Sequence, residues 1–307
     1  MSTPQPRVTV RVPAKVNVQL AVGPARPDGF HDLANVFLAV GLHDEVTATP
    51  AEELRITCEG PGADQVPLDR GNLAAKAATA LAALHGRSDA VHLHIAKNIP
   101  VAGGMAGGSA DGAAALLACD RLWGTATPRA QLLEICAELG SDVPFSLVGG
   151  AALGTGRGER LEPLPVGGTF HWVFALADGG LSTPAVFREF DRLAGPGVPA
   201  PTASRALLEA LRAGDAKALA AAASNDLQPA ALSLFPALAD TFAAGTAAGA
   251  LAALVSGSGP TTAFLAADEP AARAVAAALT ASGTCRTVHR TTSPAPGATV
   301  TASTLGR

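Results

Sequence analysis

The stretch that decides the fold is Pro100-Val101-Ala102-Gly103-Gly104-Met105-Ala106-Gly107-Gly108-Ser109-Ala110-Asp111. Ahead of it, Val91-His92-Leu93-His94-Ile95 alternates, which predicts a strand with Val91, Leu93 and Ile95 on one buried face. Behind it, Gly112-Ala113-Ala114-Ala115-Leu116-Leu117-Ala118, with Leu122 and Trp123, predicts an apolar helix. A glycine-rich loop therefore joins a strand to a helix start. Glycine lets the backbone turn where a Cβ would clash and lets a ligand approach its N–H groups. The first N–H groups of a helix lack internal partners and sit at the positive end of its dipole. Together these make an anion site, most often for phosphate. A tight turn of small packing residues is the alternative at this point.

Spacing excludes two common phosphate loops. A Walker A loop needs Lys and then Ser or Thr after its second glycine. Gly103 and Gly108 have the required separation, but Ser109 stands where the lysine belongs. A dinucleotide loop needs G-x-G-x-x-G, which residues Gly103 to Gly108 do not supply.

Toward the N-terminus, Val8 to Val12 alternates as a strand, and Pro13 to Val22 continues it. Lys15 and Asn17 are two apart and share one face of an extended chain, with Val16, Val18 and Leu20 on the other. A solvated face alone would explain that pair. Gly23 to Gly29 is turn chemistry. Val36 to Val40, Asp44 to Ala48 and Leu54 to Cys58 predict further strands, and Asn72 caps a helix running to about His85. Beyond the loop, Gln131 to Leu139 predicts a helix. Asp142 sits where the next helix starts, with Pro144 in its first turn, and an N-cap is its simplest role. Gly149 to Gly158 predicts a strand pair with tight turns, or a sharp loop beside a ligand.

Composition shifts at Leu164 to Gly168, predicting a boundary between units 1–165 and 166–307. The second unit reads as strands near 171–176, 251–255, 262–266 and 286–290. Helices are expected near 181–187, 204–212, 215–224, 235–248 and 271–281. The tail after Ser293 is expected to be poorly ordered at its end. Strands and helices mix in both halves, so the class is α+β.

The 307 residues suffice for two domains. With 48% hydrophobic and 16% charged residues the chain is globular rather than disordered. A net charge of -4 gives no electrostatic case for a nucleic-acid or membrane partner. Unbroken apolar runs of spanning length are absent, and Met1 to Arg7 lacks the apolar segment of a signal peptide. Cys58, Cys119, Cys136 and Cys285 are scattered without metal spacing and read as reduced thiols of a cytoplasmic protein. No metal-ligating side chains are predicted.

Three segments in order, Pro13-Ala14-Lys15-Val16-Asn17, the loop at 100–110 and Ser256-Gly257-Ser258-Gly259-Pro260, resemble those of the GHMP small-molecule kinases, over about Val8 to His289. Gly29-Phe30-His31-Asp32-Leu33, Gly140-Ser141-Asp142-Val143-Pro144-Phe145 and Thr183-Pro184-Ala185-Val186-Phe187 are similar to one branch of that family. That branch phosphorylates a hydroxyl of a cytidine diphosphate alcohol in the non-mevalonate isoprenoid route. The resemblance implies a two-domain fold, with an N-terminal domain like ribosomal protein S5 domain 2 and a ferredoxin-like C-terminal domain, and the active site between them. It implies ATP as donor, with Mg2+ bridging its phosphates. Asp142 would be the general base, and Lys15 would favour its ionised form and stabilise developing charge. Pro100, Val101, Ala102, Gly103, Gly104, Met105, Ala106, Gly107, Gly108, Ser109 and Ala110 would wrap the phosphates. Asn72 and Lys97 would lie near the adenine or ribose.

Asn17 and His31 would hold the cytidine diphosphate substrate, Phe30 and Phe187 would sandwich its base, and Phe37 and Thr183 would line the same pocket. A monomer or homodimer without nucleic-acid or membrane partner is implied. The alternatives are a family member acting on mevalonate, homoserine or a sugar, and a nucleotide-binding protein without catalysis. The segments suited to a nucleobase argue against the first, and the presence of both Lys15 and Asp142 against the second. The chain departs from the family pattern at Phe30, where tyrosine is usual. It departs also at Met105-Ala106 (for Leu-Gly) and Ser109-Ala110-Asp111 (for Ser-Ser-Asn).

Overall fold

The computed structural model describes residues 5–305. Two 19-residue strands, β1 (Arg7–Ala25) and β2 (His31–Thr49), form the antiparallel centre of an eight-stranded sheet. The chain continues through β3 (Arg55–Glu59), α1 (Leu73–Leu84), β4 (His92–Ala96), α2 (Gly107–Trp123), α3 (Arg129–Leu139), α4 (Val143–Val148), β5 (Ala151–Thr155) and β6 (Arg160–Pro163). The alternating Val8, Val10 and Val12 bury completely, as do Leu93 and Ile95 of β4. Against them pack the alanine faces of α1 and α2, where small side chains allow close approach of helix to sheet.

The second half runs β7 (Phe170–Leu176), α5 (Thr183–Ala194), α6 (Arg205–Ala213), α7 (Ala216–Ala222), β8 (Ser224–Asn225), α8 (Gln228–Leu234), α9 (Leu238–Ala247), β9 (Ala252–Val255), β10 (Thr262–Ala266), α10 (Glu269–Ser282), β11 (Thr287–Ser293) and β12 (Thr299–Thr304). Four of these strands form an antiparallel sheet in the order β11-β7-β10-β9. With helices between β7 and β9 and again between β10 and β11, this is the ferredoxin-like arrangement. Alternation along β7 divides its faces. Phe170, Trp172 and Phe174 join the main core with Leu207, Leu211 and Leu219, whereas Val173 and Ala175 pack on Val275 and Leu279 of α10.

The structure departs from the sequence reading in several places. The β1–β2 register shifts between Asn17 and Gln19. Val16 and Val18 therefore enter the main core, while Leu20 and Val22 pack with Val186, Phe190 and Leu227 of the second half. Strict alternation had grouped Leu20 with Val16 and Val18, and one bulge inverts the face. The helix expected over 235–248 is α9, starting three residues later, and a helix not expected, α8, precedes it, with Phe235 and Pro236 between them, since proline cannot continue the first. The segment after Ser293 returns to the first sheet, where β12 pairs with β1 from Arg7 opposite Thr304 to Arg11 opposite Thr299. The final two residues of that tail lie outside the described residues. No helix among the described residues is long and apolar enough to cross a membrane.

Phe37 was expected to line the substrate pocket and does not. It lies opposite Asn17, on the cleft side of the sheet, but α4 covers it. Its ring stacks on Phe145 at 4.8 Å between centroids and is fully buried. A Cβ at Gly154 would come within 2.6 Å of the Phe37 ring, and one at Gly158 within 3.5 Å. Phe37 is thus a floor beneath α4 and the β5–β6 turn. Phe37→Ala is expected to cost about 3–5 kcal/mol of stability, as for a fully buried phenylalanine. Denaturant unfolding checks this, and a cost below about 1 kcal/mol would contradict the burial.

Candidate active site

The glycine loop ends at α2 through backbone that few side chains adopt. Ala102 (φ 55°), Gly104 (φ 71°) and Ala106 (φ 61°) are all left-handed. Gly104 is required there, because a Cβ would lie 2.0 Å from the Ser256 carbonyl oxygen. Gly107, Gly108 and Ser109 open the 17-residue α2 and line a cleft of about 660 Å³. A Cβ on Gly108 would meet only Leu73, at 4.0 Å, so no side chain obstructs a ligand at the helix start. Pro100, Ala102, Gly103, Gly104 and Ala106 also line the cleft. Met105 and Ala110 are fully buried and anchor the loop in the core. Val101 is not among the cleft residues. Within the loop at 100–110, then, some side chains hold its shape while others face the cleft.

Lys15 is buried rather than solvated. Its Nζ donates to Asn17 Oδ1 (2.7 Å) and to the Gly104 carbonyl (2.8 Å), and lies 3.7 Å from Asp142 Oδ2. Burial lowers the Lys15 pKa, and the Asp142 carboxylate opposes that shift. Asp142 precedes α4 as its cap residue, yet its side chain makes no capping bond. Its carboxylate is 31% exposed and opens on the cleft. The buried ammonium sets a positive potential beside this reachable carboxylate. The Ser256–Pro260 loop completes this wall. Ser256 Oγ donates to the Gly104 carbonyl at 3.1 Å, and Asn225 Nδ2 donates to the carbonyls of Val255 and Gly257.

Asn72 and Lys97, expected near adenine or ribose, do not line the cleft. Asn72 Oδ1 caps α1 by accepting from the Ala74 N–H, and its Nδ2 donates to the Pro67 carbonyl. Lys97 is buried between Asp44 and Asp111. Asp44 also accepts from the Asn98 and Ile99 N–H groups, so β2, the entry to the loop and α2 meet at one ion cluster. Burial tends to lower Lys97, but the two carboxylates more than offset it and hold it above its ordinary value. Burial and the Asp44 charge push Asp111 up to about 8 against the pull of Lys97, and its Oδ1 has no hydrogen-bond partner. The Asp111 departure from the family pattern therefore faces the core, not the phosphates.

At the other end, His31 Nδ1 donates to the Gly23 carbonyl (2.8 Å), and Nε2 lies 3.5 Å from Asp191 Oδ1. Phe187 stacks on His31 at 5.1 Å. Phe30 is half exposed, with the Arg157 guanidinium 5.2 Å from its ring centroid. Thr183 shares a 2.9 Å hydrogen bond with Ser258. Asn17 Nδ2 donates to Asn35 Oδ1 at 2.6 Å. The structure thus gathers Lys15, Asn17, Phe30, His31, Asp142, Thr183 and Phe187 around one cleft. Sequence reading missed Asn35 and Arg157. An asparagine inside the apolar run Leu33 to Val40 was a legible signal for the first. Arg157 lay in a passage noted only for its glycines.

The models of the GHMP kinases N terminal domain and the GHMP kinases C terminal match residues 72–150 and 207–285. The 4-diphosphocytidyl-2-C-methyl-D-erythritol kinase of Streptomyces avermitilis is 80% identical, over 95% of this chain and 99% of its own. That of Thermobifida fusca is 62% identical, over 95% and 98%. A crystal structure of a 4-(cytidine 5'-diphospho)-2C-methyl-D-erythritol kinase aligns with a TM-score of 0.74 and 33% identity, over 92% of this chain and 98% of that one. Homoserine kinase from Cytophaga hutchinsonii, at TM-score 0.74 and 20% identity, over 98% of each chain, shares the fold.

The ion cluster yields a pH-dependent prediction. The Asp111 carboxyl has its ordinary value of 3.8 in the unfolded chain but is raised to about 8 in the folded one, by burial first. The folded state holds the extra proton between these values, so this stability is complete below about pH 4 and is lost as pH rises through about 8. Asp111→Asn should therefore gain on the wild type as pH increases from 5 to 8, measured by urea midpoints at each pH. A constant difference across that window would contradict the burial of an ionisable Asp111.

Proposed function

This chain belongs to the GHMP kinase family, and on that premise we propose that it phosphorylates the 2-hydroxyl of 4-diphosphocytidyl-2-C-methyl-D-erythritol. The reaction uses ATP and serves the non-mevalonate route to isoprenoid precursors. The observation that carries the reading is the buried Lys15 held 3.7 Å from the cleft-facing Asp142, at the foot of a glycine loop that opens a helix. Asp142 takes the proton of the 2-hydroxyl. The freed oxygen pair attacks the γ-phosphorus, the bond to the bridging β–γ oxygen breaks, and ADP leaves. Lys15 offsets charge as it develops. The N–H groups of Gly107, Gly108 and Ser109 face the phosphates at the positive end of α2. In-line transfer needs chiefly this positioning and neutralisation.

The Ser109 hydroxyl supplies an oxygen donor of the type Mg2+ takes, so the site suits ATP with its metal. When bound, Mg2+ contributes neutralisation of phosphate charge. Cytosine is assigned to the Phe30–Phe187 end, where His31, its Nδ1 donating to the Gly23 carbonyl, presents its ring edge to the base. Asn17, steadied by Asn35, is assigned to the alcohol near Lys15. We divide the chain into units 1–165 and 166–307, with β12 crossing back to the first sheet. We assign it to the cytoplasm as a monomer or homodimer, in keeping with its four free cysteines.

The test is ADP release with ATP and Mg2+, with and without this substrate. Release should depend on the substrate, and Asp142→Asn should lower it by roughly 10²- to 10⁴-fold, the usual contribution of a positioned base. Substrate-dependent release unaffected by the substitution would remove Asp142 from the base role.

A further inference from the structure

Arg157 stands on the turn between β5 and β6, in Thr155-Gly156-Arg157-Gly158-Glu159. The turn is held from several sides. Gly156 and Gly158 take φ of 69° and 109°, which favour glycine. The Arg157 N–H donates to Glu159 Oε2 at 2.7 Å, Gly158 N–H to the Thr155 carbonyl at 3.0 Å, and Leu33 N–H of β2 to the Gly156 carbonyl at 2.8 Å. Phe37 supports it from below. The Glu159 carboxylate is thus engaged with the turn's own backbone and with Arg160 at 4.0 Å. Among the described residues Arg157 enters no ion pair, as is also true of Arg188, the other arginine lining the cleft, but Arg157 is the one set over Phe30. A half-buried, rigidly mounted and unpaired guanidinium lines the cleft.

Its neighbours give it a place in sequence along the cleft. On one side its guanidinium lies over the Phe30 ring. On the other, a Cβ at the adjacent Gly158 would lie 3.9 Å from the Ser141 side chain, next to Asp142. Phe30, Arg157 and Asp142 line one cleft, and a cytidine diphosphate alcohol carries its diphosphate between base and acceptor alcohol. We propose that Arg157 is a specificity-determining residue that grips the diphosphate of the acceptor substrate, with Phe30 as the shelf that orients its guanidinium. This rests on the substrate reading given above. A guanidinium presents several N–H donors in a plane and bonds phosphate oxygens in pairs. It also supplies, beside Phe30, a polar contact that a phenylalanine in place of tyrosine cannot make.

The experiment compares wild type, Arg157→Ala and Arg157→Lys by isothermal titration with CDP and with cytidine, alongside steady-state KM for the substrate and for ATP. Wild type should bind CDP more tightly than cytidine. Arg157→Ala should weaken CDP by about tenfold to a hundredfold, the scale of a charge-assisted hydrogen bond. Cytidine binding and the KM for ATP should stay near wild type, the KM for the substrate should rise with the CDP loss, and Arg157→Lys should recover part of it. Equal weakening of CDP and cytidine would make Arg157 only a support for the base shelf and overturn the proposal. A rise in the KM for ATP alone would overturn it in favour of an ATP contact. If wild type turns over the substrate yet CDP binding ignores the substitution, this proposal fails and the substrate reading stands. If wild type neither binds CDP nor uses the substrate, the substrate reading itself fails.

Discussion

Burial of the Lys15 ammonium is the constraint on which the site depends. An ammonium removed from water is costly unless its protons find partners and its charge finds an anion. Here Asn17 and the Gly104 carbonyl take two protons, and Asp142 faces the charge at 3.7 Å. These partners come from β1, the glycine loop and the residue before α4. Lys15 can stay buried only while all three hold their positions. The same requirement fixes Gly104, whose carbonyl also receives Ser256 from the second half. One charge thus couples the glycine loop, the carboxylate and the two halves of the chain.

The fold supplies that convergence through its long strands. β1 carries Lys15 and Asn17 on one face and core valines on the other, and the bulge before Gln19 then turns Leu20 toward the cleft side. A second, fully buried ion cluster does structural work nearby. Asp44 and Lys97 tie β2 and the start of the loop to Asp111 of α2. It holds the loop from below as the Lys15 cluster holds it from the cleft side. Phe37 plays the apolar counterpart beneath α4 and the Arg157 turn.

Much of this was legible in the sequence because it rests on local chemistry. The strand–loop–helix at 91–123 and the Asn72 cap follow from periodicity and turn residues, while the ferredoxin-like second half came from the family resemblance. The resemblance to a kinase family drew Lys15 and Asp142 together across more than a hundred residues, which no local rule does. What failed depended on tertiary context. Alternation cannot foresee a bulge, so Leu20 was placed on the wrong face. Motif position did not reveal that Lys97 and Asn72 are consumed by core partners, or that α4 would seal Phe37. Arg157 and Asn35 were overlooked because a residue gains meaning in a cleft only once the strands that bring it there are paired.

The most direct test of the central claim, that Lys15 and Asp142 act as one unit, is a double-mutant cycle on kcat/KM with Lys15→Met, Asp142→Asn and the pair. The account predicts strong non-additivity, with the double variant little worse than the more damaged single one, as for residues that act together. Losses that multiply across the two sites would contradict it and make Lys15 a structural cation independent of the base.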